Sequence, residues 1–306
     1  MKTLPTPQQL RYLDALAEHR HFGRAASACA VSQSTLSAGI LALERLLDAD
    51  LLDREAGKHV VFTRLGEDLV VRARAALLAL EAVSDTAEAA RAPMSGTLRM
   101  GVIPTVGPFL LPGLMPVLRA RYPRLRLYLR EDNTDRLLAG LESGRLDLLL
   151  LALPYGCGNA TLVTLMRDEF FVALPPGHPL ARLDRIPAAA LETEPLLLLE
   201  EGHCLRDQAL TACGRLRERA DAFAATSLYT LAQMVAGGLG ITLLPRIAVD
   251  AGITAGTDIE LRPLDGVGGW RSIALAWRAN SPRQADFRAL AQTLSQSQAP
   301  ALGVET

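Results

Sequence analysis

Apolar residues in the first part of the chain recur at three- and four-residue steps: Leu10, Leu13 and Ala17, then Phe22, Ala25 and Ala26, then Leu36, Ile40, Leu43 and Leu47. That is the period of an amphipathic helix, not of a strand. Within "FGRAASACAVSQSTLSAGILALERLL" it predicts a helix, a tight turn and a second helix. Ala25 and Ala26 are small enough for close helix packing, Val31 ends the first helix with an apolar plug, and Ser32 is a good N-cap for the second. The following "LLDREAGKHVVFTRLGE" predicts two short strands around Ala56 and Gly57, a wing with Arg54 and Lys58 near its tip. After Thr63, a further N-cap, no proline occurs until Pro93, and Leu69, Ala73, Ala76, Leu80, Val83, Ala87 and Ala90 alternate four- and three-residue steps. This is a heptad seam, and so narrow a stripe suits pairing with a second chain better than lying on its own domain.

"RAPMSG" breaks that helix, and beyond it the period changes. Short apolar runs, "TLRMGVI", "LRLYLRE", "LDLLLLAL", "FFVALP", "ITLLP" and "SIALAW", alternate with helical stretches, which predicts an α/β fold. The expected architecture is an all-α winged helix-turn-helix over 1–64, a linker and dimerisation helix over 65–92, and an α/β regulatory domain over 93–306. Thr105 falls in a strand-to-helix turn, the place where ligands bind in open α/β sheets. "GGLG" at Gly237 to Gly240 lies between a helix and a strand, so it reads as a helix stop and not as a nucleotide loop.

Composition narrows the class. A chain of 306 residues with 49% hydrophobic and 21% charged content has material for two or three folded units. "LDLLLLALP" is far too short to cross a bilayer and no signal-like apolar run opens the sequence, so the expectation is a cytoplasmic protein with no membrane partner. Four cysteines at irregular spacing without C-x-x-C argue against a disulfide framework and against a zinc site, and no cofactor is called for. A net charge of -1 gives no global sign of nucleic acid, so that reading rests on local features. Ser32, Gln33, Ser34 and Ser37 form a short polar face at the start of the second helix, with an amide able to pair with an adenine edge and hydroxyls for phosphates. Residues 1–64 hold eight Lys/Arg against seven Asp/Glu, so each module makes few phosphate contacts and useful affinity requires several modules tied together.

Two longer stretches, "AEHRHFGRAASACAVSQSTLSAGILALE" and "MSGTLRMGVIPTVGPFLLP", resemble the DNA-binding segment and the opening of the regulatory domain of LysR-type transcriptional regulators, and the resemblance covers nearly the whole chain. "GHCLRDQA", a second cysteine at the right distance and "ATSLYTLAQMVAGGLGITLLP" are similar to the OxyR peroxide sensors within that family; general LysR regulators lack the cysteine pair. The resemblance implies a periplasmic-binding-protein-like regulatory domain of two α/β halves, about 93–166 plus 270–306, and 167–269, with the chain returning near Trp270. It implies Cys204 as the peroxidatic thiol and Cys213 as its redox partner. Thr105 in "PTVGP", Thr134 in "EDNTDRLL", His203, Asp207 and Arg271 in "WRSIALAW" match positions around the family's peroxide pocket. It further implies a regulator and not an enzyme, with promoter DNA, hydrogen peroxide, a homodimer pairing into a dimer of dimers, and RNA polymerase as partners. Ser34 stands where the family often has proline and Gly39 replaces a longer polar residue, departures that bear on operator preference.

The chemistry of "GHCLRDQALTAC" can be argued from the residues as well. Peroxide is attacked by thiolate, and a thiol of pKa about 8.5 is only slightly ionised at neutral pH, so something must favour the anion. Gly202 and His203 suggest a helix start under Cys204, whose free N–H groups would do so, and Arg271 would add a fixed positive charge. If Cys204 and Cys213 flank one helix, nine residues of rise hold their Cα atoms roughly 13 Å apart. A disulfide needs about 4.4 to 6.8 Å, so oxidation would have to unwind the segment. The competing readings are two unreactive core cysteines, a thiol peroxidase or Cys-His hydrolase, and a regulator answering to a small organic ligand.

Overall fold

The computed structural model describes residues 3–53, 60–91, 94–214, 224–266 and 268–298. The chain divides into two compact units that meet between Ala87 and Glu88.

The first unit begins with α1 (Pro7–His19), whose start is fixed by a capping box: Gln9 N–H donates to the Thr6 hydroxyl and Thr6 N–H to the Gln9 side chain. His21 caps α2 (Phe22–Ala28) by accepting from Gly23 and Arg24 N–H through Nδ1. Ser32 caps α3 (Gln33–Leu47), accepting from Thr35 N–H at 3.1 Å. The axes of α2 and α3 turn by 99°, the angle of a helix-turn-helix. Leu36, Ile40 and Leu43 are buried against Leu13, Leu16, Ala25 and Ala26, while Leu47 is partly buried. Gly39 has a packing role in this unit: a β-carbon there would run into the Tyr12 ring, so the glycine lets α3 approach α1.

Buried Glu44 accepts from Leu51 and Leu52 N–H and so anchors the approach to the wing. The wing's base is an antiparallel bridge between Leu52 and Phe62; its tip, with Arg54 and Lys58, lies outside the described residues. Thr63 accepts from Gly66 N–H at the start of α4 (Arg64–Arg91). Val70 and Ala73 pack into the first unit, whereas Leu80 is 47% and Val83 69% exposed.

The second unit is built on one eight-stranded sheet. Strands β1 (Gly96–Val102), β2 (Leu125–Glu131) and β3 (Leu148–Leu153) are parallel, with β1 between the other two. Helices α5 (Gly107–Arg121) and α6 (Thr134–Glu142) connect them, and α5 persists through Pro112 and Pro116 with Leu110, Leu114 and Leu118 buried. The long strand β4 (Ala160–Leu174) then changes partners along its length. Ala160–Glu169 pairs with β10 (Trp270–Arg278), and Phe170–Leu174 pairs with β8 (Thr242–Pro245) and β9 (Glu260–Asp265). β10 lies antiparallel between β3 and β4, which is how the returning chain rejoins the first lobe. Short β5 (Ile186–Pro187) ends the sheet beside β9, and β6 (Leu198–Leu199) pairs separately with β7 (Ala224–Ala225). Helices α7 (Cys204–Ala212), α8 (Leu228–Ala236), α9 (Arg246–Asp250) and α10 (Gln284–Gln298) complete the unit. Gly237 ends α8 and Gly238 follows at φ +76°, so "GGLG" is a helix stop. Two apolar cores result, one around Leu148–Ala152 and β10, the other around Val172–Leu174, β6 and α8.

Candidate redox site

Three strand-to-helix turns and the first residues of β10 supply the site. The turn after β1 holds Thr105, the turn after β2 ends in Asn133 and Thr134, and the turn after β6 ends in His203 and Cys204. Asn133 caps α6 by accepting from Arg136 N–H. Gly202, at φ +89°, leaves no room for a side chain against Asn133, so a glycine is required where these two turns meet.

Thr105, Thr134, Cys204 and Arg271 are all buried. The Arg271 guanidinium donates to the Thr105 hydroxyl and carbonyl, each at 2.9 Å, and its Nε donates to Asp168 Oδ2 at 2.9 Å. Asp168 is the register partner of Arg271 across β4 and β10, and its second oxygen accepts from Ile247 N–H at the start of α9. The cation expected at the site is therefore present but already paired inside the protein.

Burial and charge act in opposite directions on the Cys204 thiol. Burial pushes the Cys204 thiol up, and the opposing pulls of the Arg271 charge, the Thr134 hydroxyl and Leu205 N–H do not overcome it; the Asp207 carboxylate adds to the rise. Burial lowers the His203 pKa against the opposing pull of Glu200, and its side chain caps no backbone group of α7. Asp207 is exposed, one turn beyond Cys204 on α7.

Cys213 is the C-cap of α7 and is buried, in the second core, whereas Cys204 belongs to the first. The nine residues Cys204–Ala212 are helical, which holds the two Cα atoms roughly 13 Å apart.

Three residues of the site were not foreseen. Asp168 sits in a charged stretch that reads as an interruption between apolar runs. Gln208 is four residues beyond Cys204 and so shares its helix face; its Nε2 donates to the carbonyls of Ala152 and Pro154 at 3.4 Å, and its Oε1 has no hydrogen-bond partner among the described residues. The buried Thr134 hydroxyl lacks a well-formed hydrogen bond in the same way. Tyr155 donates to Asp135 at 2.6 Å, and burial, reinforced by that carboxylate, pushes its pKa up. The i, i+4 relation to Cys204 was the available signal for Gln208; for Asp168 and Tyr155 only the folded register supplies one.

In the first unit Ser32, Gln33, Ser34 and Ser37 are exposed at the N-terminal end of α3. The Ser32 hydroxyl also meets those of Ser34 and Thr35 at 2.8 and 2.7 Å.

Among the described residues no single helix is long and apolar enough to cross a membrane. Residues 7–67 match the family model for the bacterial regulatory helix-turn-helix protein of the lysR family, and residues 91–299 match the LysR substrate binding domain. The chain is 44% identical over 296 residues to a probable hydrogen peroxide-inducible genes activator of Streptomyces viridosporus, covering 96% of this chain and 94% of that one. It is 43% identical over 293 residues to the DNA-binding transcriptional dual regulator OxyR of Escherichia coli, covering 94% of each. Full-length OxyR of Pseudomonas aeruginosa, a cysteine-to-aspartate variant, superposes with a TM-score of 0.76 at 36% identity over 95% of both chains. A cysteine-to-serine variant of Corynebacterium glutamicum OxyR with hydrogen peroxide bound superposes with a TM-score of 0.66 at 33% identity, covering 99% of this chain and 95% of that one. These relatives are transcriptional regulators and not enzymes. With both units matched and such identity along nearly its whole length, the chain belongs to the LysR family of helix-turn-helix transcriptional regulators, in its OxyR group.

Proposed function

We propose that the protein binds double-stranded promoter DNA as a homo-oligomer and changes that binding when hydrogen peroxide oxidises Cys204 and a disulfide forms with Cys213. The observation that carries this reading is a helix with a buried thiol at each end. Peroxide enters beside Cys204, where the buried Thr134 hydroxyl faces the thiol and Gln208 Oε1 is a buried acceptor with no partner among the described residues. The Cys204 sulfur attacks one peroxide oxygen, the O–O bond breaks, and the departing hydroxide takes up the thiol proton and leaves as water. The Cys204 sulfenic acid then condenses with the Cys213 thiol, forming the S–S bond and releasing a second water.

While α7 stands the two Cα atoms are too far apart for that bond, so its formation unwinds the helix. Closing a loop of this size is worth on the order of 2 to 3 kcal/mol in the chain-entropy model, enough to refold one local element and not a domain. The relatives' names and the peroxide-bound neighbour support the signal. A reversible disulfide and a DNA partner both fit the reducing cytoplasm. Pairing through the exposed seam of α4 joins two weakly basic DNA-binding units, two such pairs assemble on one operator, and RNA polymerase is recruited beside them.

Footprinting of reduced and peroxide-treated full-length protein, with peptide mapping of its thiols, tests the reading. The wild type should gain a Cys204–Cys213 bond and an altered footprint, Cys204→Ser should show neither, and Cys213→Ser should lose the lasting refolding of α7. A wild type that reacts without this bond, or whose footprint ignores peroxide, would favour a regulator answering to a small organic ligand.

A further inference from the structure

A third thiol lies on the other side of Cys204. β3 runs into the loop Pro154–Asn159, which carries Cys157, and Gln208 of α7 donates to Ala152 and Pro154 carbonyls at the head of that loop. Tyr155 in the same loop is tied to Asp135 of α6. Cys157 is partly buried and packs against the apolar core that contains Cys204, whereas Cys213 belongs to the other core. Burial raises the Cys157 thiol, with a smaller contribution from Cys204. Gly156 and Gly158 flank Cys157, and a side chain at either would meet nothing, so the tip of the loop is not packed in at these two positions. On its outer side Cys157 lines a groove of about 480 Å³ with Leu138, Glu142, Asn159 and Asn280.

We propose that Cys157 is a second resolving thiol, closing a Cys204–Cys157 disulfide that leaves α7 folded. The inference rests on the reading that peroxide oxidises Cys204. The sulfenic acid loses its hydroxyl to the Cys157 proton as water while the S–S bond forms, so no further oxidant is needed. Cys213 reaches Cys204 only after α7 unwinds; Cys157 approaches from the loop side with the helix in place. The two bonds therefore compete for one sulfenic acid, and only the Cys213 bond refolds the sensor. The Cys157 bond stores oxidation silently, protects Cys204 from sulfinic acid, and faces a groove through which small thiols can reduce it. Its effect is to raise the peroxide dose at which the regulator switches.

The test uses reduced full-length protein carrying Cys213→Ser, with Cys213→Ala as a second background, treated with one equivalent of hydrogen peroxide, alkylated and mapped by mass spectrometry. Most oxidised Cys204 should be recovered bonded to Cys157, and adding Cys157→Ser should raise sulfinic Cys204 several-fold. In the otherwise wild-type chain, Cys157→Ser should lower the peroxide dose that gives half-maximal Cys204–Cys213 bond. If Cys204 is oxidised in both Cys213 backgrounds while Cys157 is fully alkylated, the inference is overturned and the sensing reading stands. If Cys204 in the wild type does not react with peroxide, both are lost.

Discussion

Arg271 and Asp168 form a buried pair that sets how much positive charge the Cys204 sulfur feels. Replacing Asp168 by asparagine keeps an oxygen for Ile247 N–H but leaves the guanidinium uncompensated, which should cost about 3 to 5 kcal/mol of stability, measured by urea unfolding. The freed charge should also pull the Cys204 thiol down and speed its reaction with peroxide at neutral pH. For the wild type the sign runs the other way: the folded pKa lies above the ordinary thiol value of about 8.5, so the second-order rate should still climb as pH passes that value. The stability held by the protonated thiol is complete below the unfolded pKa and is lost as pH rises through the folded one. A rate profile already flat by pH 8 would contradict this balance, as would an Asp168→Asn profile that does not move toward lower pH. Thr105, Thr134 and Arg271 were legible through motifs that match a known family, and the structure buries all three. Asp168 was not legible, because nothing in "MRDEFF" points across the sheet to a residue 103 positions away.

At the scale of elements, local signals carried far. Ser32 and Thr63 cap the helices they were expected to cap, Gly237 stops α8, and the thiol-flanked helix begins at Cys204. Hidden from the sequence were the first half of β4, where polar and charged residues interrupt the apolar pattern, and β9, whose Pro263 argues against a strand. Gly39, a departure that bears on operator preference, also lets α3 seat closely on α1. Within α3 two neighbouring residues should separate stability from specificity. Ser32→Ala removes the cap and should lower the stability of the first unit by about 1 kcal/mol in thermal unfolding. Gln33→Ala touches no cap and should leave stability unchanged while weakening discrimination among operators by about 1 to 3 kcal/mol if the amide pairs with a base edge. An unaltered preference in a binding-site selection would remove Gln33 from the reading set.

For the whole molecule, the first question is what covers the exposed side of α4. Leu80 and Val83 stand out from it, as the heptad reading expects of a helix awaiting a second copy. Leu80→Glu should abolish the dimer in sedimentation and, because each DNA-binding unit is only weakly basic, most of the operator affinity with it. A dimer that survives the charge would mean that pairing occurs elsewhere. Within the second unit, β4 has a different consequence. One unbroken strand of fifteen residues is shared by both lobes, paired with β10 in one and with β8 and β9 in the other. Such a strand acts as a common beam: its backbone is fixed by ladder hydrogen bonds in both lobes, so a displacement of one lobe is passed directly to the other. In the proposed function, a signal born at α7 would then leave as a change in the outline of one corner of a stiff plate, read by whatever surface rests against that corner.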